Sequence, residues 1–316
     1  MELDDHAGSA LRPLLRRKKW VWLAVSTEEI WLSLAIVRMG YASSAFAFVF
    51  DRASRRMLVD RTRLGSPRAA AVSDDPHASG DLARFRSLSG FGRTWLNISR
   101  YASTVHVQAR VPGGGASDDL EIDALVEESR APAPISAIAD LSTSRETLVS
   151  ATEKRALASV RGRLVAAGRR FSLDGGLGGY DYTHGLMPRH TRWKWAFAMG
   201  HSKSGDPIAF NVVSGFVGEA ECAAFTSPHA GGIVPLEEPR FELDADEPSR
   251  PWRLVGPDMN LTFDVGAIHA QHTNLGVARS RFLQPVGTFR GTLTLGGEEV
   301  VLEGVPGVVE DQDVLW

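Results

Sequence analysis

Residues 178–200 read GGYDYTHGLMPRHTRWKWAFAMG, and the second half of this stretch alternates bulky apolar side chains with small or polar ones. Trp193 and Trp195 stand two apart, a spacing that puts both rings on one face of an extended strand and on different faces of a helix. The same period of two recurs on either side. Toward the amino end it appears in WVWLAV from Trp20, EIWLSLAIV from Glu29, SAFAFVFD from Ser44, TVHVQARV from Thr104 and LEIDALVE from Leu120. Toward the carboxyl end it appears in PIAFNVVSGFVG from Pro207, NLTFDV from Asn260, GTFRGTLTL from Gly287 and EEVVLEGV from Glu298. These runs are short and bounded by turns such as GG, DG and PGGG, the pattern of strands joined by hairpins. Strands so closely spaced pair antiparallel and leave no room for βαβ crossovers, so the fold class is all-β.

Two interruptions divide the pattern. Residues 66–87, rich in Ala, Ser, Asp, Gly and Pro, read as a loop insertion with room for one helical turn. Residues 127–144 carry Pro132 and Pro134 and separate the two strand sets, which places a first β domain at 1–140 and a second, with the opening motif, at 141–316. TSRETLVSATEKRALASV, from Thr143, reads as a short connecting helix or a first strand, and Thr147, Val149 and Thr152 favour the strand. Two strand sets suggest two barrels or two sandwiches docked together, since closure removes exposed edges. Function in such a shell lies in what the barrels or their interface enclose.

The chain has 316 residues, 43% of them hydrophobic, and a formal net charge of −3. That near-neutral balance offers no field for steering nucleic acid. The single cysteine, Cys222, excludes an internal disulfide or a multi-cysteine zinc site. Arg16, Arg17, Lys18 and Lys19 read as a solvated, charged strand edge, and the apolar run after them is too short for a membrane span, so a cytoplasmic protein without an integral membrane segment is expected. No dinucleotide, P-loop, HExxH or GxSxG signature occurs, and neither cofactor nor metal is expected. His269 and His272 are three apart and would point to opposite strand faces unless the chain turns there. Glu310, Asp311 and Asp313 read as a solvated terminal acidic turn.

Within the opening stretch, Asp181 suits the capping of turn amides near GGLGG, and the Trp pair suits a barrel lining. His190 and Arg192 fall in a polar run before the strand. Asn211, between Phe210 and Val212, is placed to point into a lumen, where a buried amide needs partners.

The run of Gly179, Tyr180, Asp181, Gly185, Pro188, Trp193 and Trp195 resembles a motif of the lipocalin-like carotenoid hydratases, of the hydroxyneurosporene synthase-like kind. Over nearly its whole length the chain more closely resembles the bacterial family called domain of unknown function 2804. That likeness is carried by RKKW at 17–20, GYASSAFAFVFD at 40–51, TEKR at 152–155, residues 180–200, FNVVSG at 210–215 and the closing PGVVEDQDVLW. The resemblance implies two tandem lipocalin-like antiparallel β-barrels packed together, in a superfamily that includes carotenoid hydratases, tocopherol cyclase and polyene cyclases. Such proteins handle long apolar substrates, protonating an alkene with an acid and stabilising the cation with aromatic faces. The chain departs from the hydratase pattern in carrying Tyr182, Thr183 and His184 after the aspartate.

Two readings of function stand side by side. In the first, a polyene, terpenoid, lipid or polyketide is hydrated, cyclised or isomerised in a barrel cavity. Asp181 is then the general acid and His184 the relay, with Tyr180, His190, Trp193, Trp195 and Asn211 binding the substrate. In the second, the same residues orient the headgroup of a lipid in a noncatalytic carrier.

Overall fold

A computed structural model describes residues 15–90, 92–115, 119–144, 146–215, 218–227, 232–274 and 278–316. The acidic start of the chain, Arg145 and the Phe216–Val217 end of the strand expected from Pro207 lie outside them. The strands of the first half are β1 Arg17–Ser26, β2 Ile30–Met39, β3 Ser43–Asp51, β4 Arg56–Gly65, β5 Ala70–Val72, β6 Gly80–Ser89, β7 Gly92–Tyr101, β8 Thr104–Val111, β9 Leu120–Glu127 and β10 Ile135–Asp140. They continue as β11 Val149–Ala166, β12 Arg169–Ser172, β13 Gly176–Leu186, β14 His190–His201, β15 Pro207–Ser214, β16 Ala223–Thr226, β17 Ile233–Pro235, β18 Arg240–Glu242, β19 Trp252–Gly256, β20 Met259–Asn274, β21 Arg279–Leu295 and β22 Glu298–Leu315. Among the described residues no helix is long and apolar enough to cross a membrane.

These strands form two antiparallel sheets. The first runs β4-β3-β2-β1-β13-β11-β9-β8-β7-β6-β5, with β10 and β12 also paired to β11. Its two ends, β4 and β5, are joined by a single 3-10 turn at Pro67–Ala69, and Ser43 Oγ donates to Ser66 O across that corner at 2.6 Å, so the sheet nearly closes into a barrel. The second runs β17-β16-β15-β14-β22-β21-β20-β19-β18 and makes a half-barrel. Together they are an all-β pair of lipocalin-like form.

Period-two patterning explains how the two sheets meet. In β1, Val21, Leu23 and Val25 fill the first barrel, while Trp22 and Ala24 face the second sheet. In β3, Ala45, Ala47 and Val49 point inward and Phe46, Phe48 and Phe50 point across. Both strands read as unbroken apolar runs because both of their faces are buried, each large side chain contributing about 1.5–3 kcal/mol.

Three expectations change. The chain passes from one sheet to the other between Leu186 and His190, not near residue 140, because β11 and β13 supply the links between β9 and β1; the prolines lie in a loop within the first sheet. Half of the expected insertion at 66–87 is strand: β5 takes Ala70–Val72, and β6 pairs with β7 along its length, burying Leu82, Ala83 and Phe85. The basic start of β1 is not a solvated edge. β1 lies between β2 and β13, and Lys18 and Lys19 are buried.

The Gly178-Gly179 pair sits inside β13 and is not a turn. A Cβ on Gly178 would stand 2.8 Å from Val160 Cγ2 in the first barrel, and one on Gly179 would stand 2.7 Å from Phe197 Cζ in the second sheet. The bare backbone lets the two sheets approach closely at this point.

Candidate functional site in the cavity between the sheets

Residues along β13 alternate between two surroundings. Asp181 and Thr183 face a cavity between the sheets, whereas Tyr180, Tyr182 and His184 face the first barrel. β11 runs alongside in register, with Lys154 opposite Asp181 and Thr152 opposite Thr183. The tetrad TEKR therefore splits: Thr152 and Lys154 turn to the cavity side, Glu153 and Arg155 to the barrel.

The cavity holds about 270 Å³, near the lower end of small-molecule sites. Its walls are aromatic. Trp20 of β1 stacks on Trp193 of β14 with ring centroids 6.2 Å apart, and Trp22 meets Trp195 edge-on at 4.9 Å. Phe46 and Phe282 also line it and lie 5.7 Å apart.

Charged groups gather at one end. Lys154 Nζ lies 2.6 Å from Asp181 Oδ1 and 3.3 Å from Glu221 Oε2. Asp181 also accepts from Thr183 Oγ1 at 2.9 Å and from the Trp20 indole at 3.2 Å. Burial alone would push the Lys154 ammonium down, but the two carboxylates outweigh it and hold the group above its ordinary range. Burial raises Glu221, with Lys154 opposing.

Glu310 of β22 is the second acid of the cavity. Trp193 Nε1 donates to its Oε1 at 2.7 Å and Gln284 Nε2 to its Oε2 at 2.8 Å. Burial, reinforced by the charge of Asp181, pushes this carboxyl up to about 7 against those hydrogen bonds and Lys154. Beside it, the buried amide oxygens of Gln284 and Gln312, both on the cavity wall, have no hydrogen-bond partner among the described residues. The terminal acids are thus no solvated turn. Glu310 faces the cavity, while Asp311 pairs with Arg281 at 2.7 Å and Asp313 with Arg192 at 2.8 Å.

The candidate residues separate accordingly. Asp181, Trp193 and Trp195 line one cavity. His184 lies on the opposite face of β13, where Tyr182 OH and His184 Nδ1 are 2.8 Å apart and burial lowers the imidazole. Tyr180 is also inside the first barrel, accepting from Arg100 at 2.9 Å and donating to Glu153, and burial with the nearby Glu153 and Glu128 raises its phenol. His190 is exposed and pairs with Asp313 at 2.8 Å. Asn211 stands behind the wall: it accepts from Trp195 Nε1 at 2.7 Å and donates to Glu221 O at 2.6 Å, tying the indole to the turn that carries Glu221.

His269 is buried against Phe46, Phe48 and Phe282, with Nδ1 2.7 Å from Asp60 Oδ1, while His272 lines a separate recess. Among the described residues no three His, Cys, Asp or Glu side chains group to hold a metal ion. Lys154, Glu221 and Glu310 were not singled out as site residues from sequence. The signal available was a charged residue inside an apolar strand or at its flank, and it does not say which face the residue takes.

Among solved structures, kievitone hydratase from Nectria haematococca shares the fold, with a TM-score of 0.51 and 12% identity over 98% of this chain and 93% of that one. CghA aligns with a TM-score of 0.48 and 11% identity over 94% and 88% of the two chains. No curated protein matches by sequence. The family model for the domain of unknown function DUF2804 matches residues 3–316, and the chain belongs to that family.

Proposed function

We propose that the cavity binds a hydrophobic small molecule and transfers a proton to it, with Glu310 as the acid. The observation that carries this reading is a buried carboxyl, held near neutrality and facing a cavity walled by tryptophans. A carboxylic acid with such a value is protonated in part at neutral pH and ready to donate. Proton transfer to an alkene leaves a carbocation and a Glu310 carboxylate. Trp20 and Trp193 offer π faces to that cation, and the Lys154 cluster, with two carboxylates around one ammonium, favours positive charge nearby. Water adding to the cation and returning a proton to Glu310 completes a hydration; loss of a different proton to the Glu310 carboxylate completes an isomerisation, and attack of a second double bond of the substrate on the cation, followed by the same loss, completes a cyclisation. The open amide oxygens of Gln284 and Gln312 are placed to accept from a water or a substrate hydroxyl. Asp181 serves this chemistry as a hydrogen-bond acceptor and charge partner. His184 has no part in it, since the strand lies between. The hydratase that shares the fold is in keeping with this reading.

The test is incubation of the protein with an extract of its host, followed by mass spectrometry of the bound compounds. The parental protein should return a compound heavier by one water or isomeric with the ligand, and Glu310→Gln should retain the unconverted ligand. Unaltered lipid on both proteins would instead identify a carrier.

A further inference from the structure

Two amide oxygens next to Glu310 are spent on nothing among the described residues. Gln284 is fully buried on β21, and its Nε2 donates to Glu310 Oε2 at 2.8 Å. With that bond in place its Oε1 is an acceptor on the cavity wall, and it has no hydrogen-bond partner. Gln312, 6% exposed, brings a second such oxygen to the same wall. Strand pairing sets both beside the acid. Phe282 lies opposite Gln312 and Leu283 opposite Asp311 in the pairing of β21 with β22, so Gln284 falls next to Glu310. Gln312 follows Glu310 by two residues and shares its face of β22.

Most donors around these oxygens are already engaged. Trp193 gives its indole hydrogen to Glu310, Trp20 gives its own to Asp181 and Trp195 to Asn211. Trp22 keeps an unspent indole N–H; its ring rests edge-on against Trp195, which lies opposite Glu310 in the pairing of β14 with β22. Charge at this end leans negative, with Asp181, Glu221 and Glu310 lining the cavity around one ammonium, that of Lys154. A buried acceptor left unmatched costs stability, and an apolar side chain of the same shape would remove that cost.

We infer that the ligand carries a hydroxyl close to its reacting double bond, with Gln284 Oε1 or Gln312 Oε1 taking the hydroxyl hydrogen. The substrate class is thus an unsaturated, otherwise apolar alcohol or phenol. The inference rests on the reading of this cavity as a ligand site beside Glu310. A hydroxyl gives a hydrogen to an amide oxygen and keeps lone pairs for a donor such as Trp22. An ether, a ketone or a carboxylate would bring only lone pairs to the two amide oxygens, and a hydrocarbon would leave them bare. An ammonium has no lone pair for the indole. Anchored by its hydroxyl, the molecule sets its double bond against Glu310 and its apolar remainder along the tryptophans.

Isothermal titration calorimetry of the full chain with naphthol and with its methyl ether, at neutral pH, isolates the hydroxyl hydrogen. Naphthol should bind about fivefold more tightly, the equivalent of one neutral hydrogen bond. Gln312→Met should reduce that preference, and the double variant Gln284→Met, Gln312→Met should abolish it while holding the affinity for the ether. The comparison on the parental protein decides the matter where the double variant does not fold. Equal affinities, tighter binding of the ether, or a preference that survives the double substitution would overturn the inference while leaving the cavity a ligand site. Binding of neither probe would remove the ligand site itself and the inference with it.

Discussion

Lys154→Met would leave the Asp181 and Glu221 carboxylates facing one another without the ammonium that now stands 2.6 and 3.3 Å from them. All three side chains are nearly enclosed. Removing one partner from a buried ionic group costs about 3–5 kcal/mol, because the remaining charge has neither water nor counter-ion. In a chain of this length each kcal/mol lowers Tm by roughly 2 °C, so a fall of about 6–10 °C is expected. Differential scanning calorimetry measures the fall, and urea titration followed by tryptophan fluorescence measures the free energy. The triple variant Lys154→Met, Asp181→Asn, Glu221→Gln is the control: with no net buried charge left, it should recover most of the loss. If Lys154→Met melts within about 2 °C of the parental protein, the cluster is not desolvated and the electrostatics argued for the cavity are wrong. A triple variant no more stable than the single one would show that shape, not charge, sets the cost.

Further expectations concern the acid, the sheet contact and the far side of β13. With Glu310 near 7, turnover should fall as pH rises through that value, because the donor is lost; Trp193→Phe removes a hydrogen bond that favours the carboxylate and should move the falling limb upward in a pH–rate profile. Gly179→Ala would place a methyl group 2.7 Å from Phe197 Cζ and from Arg155 O, and a loss of about 1–3 kcal/mol in chemical denaturation should follow. His184→Gln, on the barrel side, should leave turnover within twofold of the parental value; a hundredfold loss would restore a relay role to the imidazole and contradict the geometry.

Strand class and pairing sense were legible because two-residue periodicity and turn chemistry are local signals. The likeness carried by TEKR and by residues 180–200 also pointed to the right family. The change of sheet was not legible. Pro132 and Pro134 break the pattern locally, but whether β11 joins strands before or after it is decided by pairings with β9 and β13, more than ten residues away in the chain. Asp181 and the Trp pair emerged from the motif. His184 failed as a partner because three residues along a strand reverse the face, which a list of reactive types ignores. Glu310 was hidden by position: an acid among Asp311, Gln312 and Asp313 looks solvated until pairing with β14 and β21 turns alternate residues inward.

The position of the site between the sheets has a physical cause. The first barrel is filled by Val, Leu and Ile side chains from all round its wall, so little space for a ligand remains there. Across the junction, the opposed faces of β1 and β14 carry indoles in place of small side chains, and stacked or edge-on rings with centroids 4.9–6.2 Å apart hold the backbones apart where aliphatic chains would interdigitate. Close approach is restored at Gly179, where Phe197 and Met199 reach the bare backbone of β13, and at Gly266, where Phe50 of β3 reaches that of β20. The sheets therefore pinch together at one end and stay open at the other. Lys154, Asp181 and Glu221 lie toward the pinch, shielded from water, and Glu310 beside them is driven toward its neutral form by the same enclosure. Replacing Trp20 and Trp193 together by leucine should collapse the cavity and weaken binding of an apolar probe, while the ion pair of Lys154 and Asp181, held by the facing strands β11 and β13, persists without the Trp20 hydrogen bond.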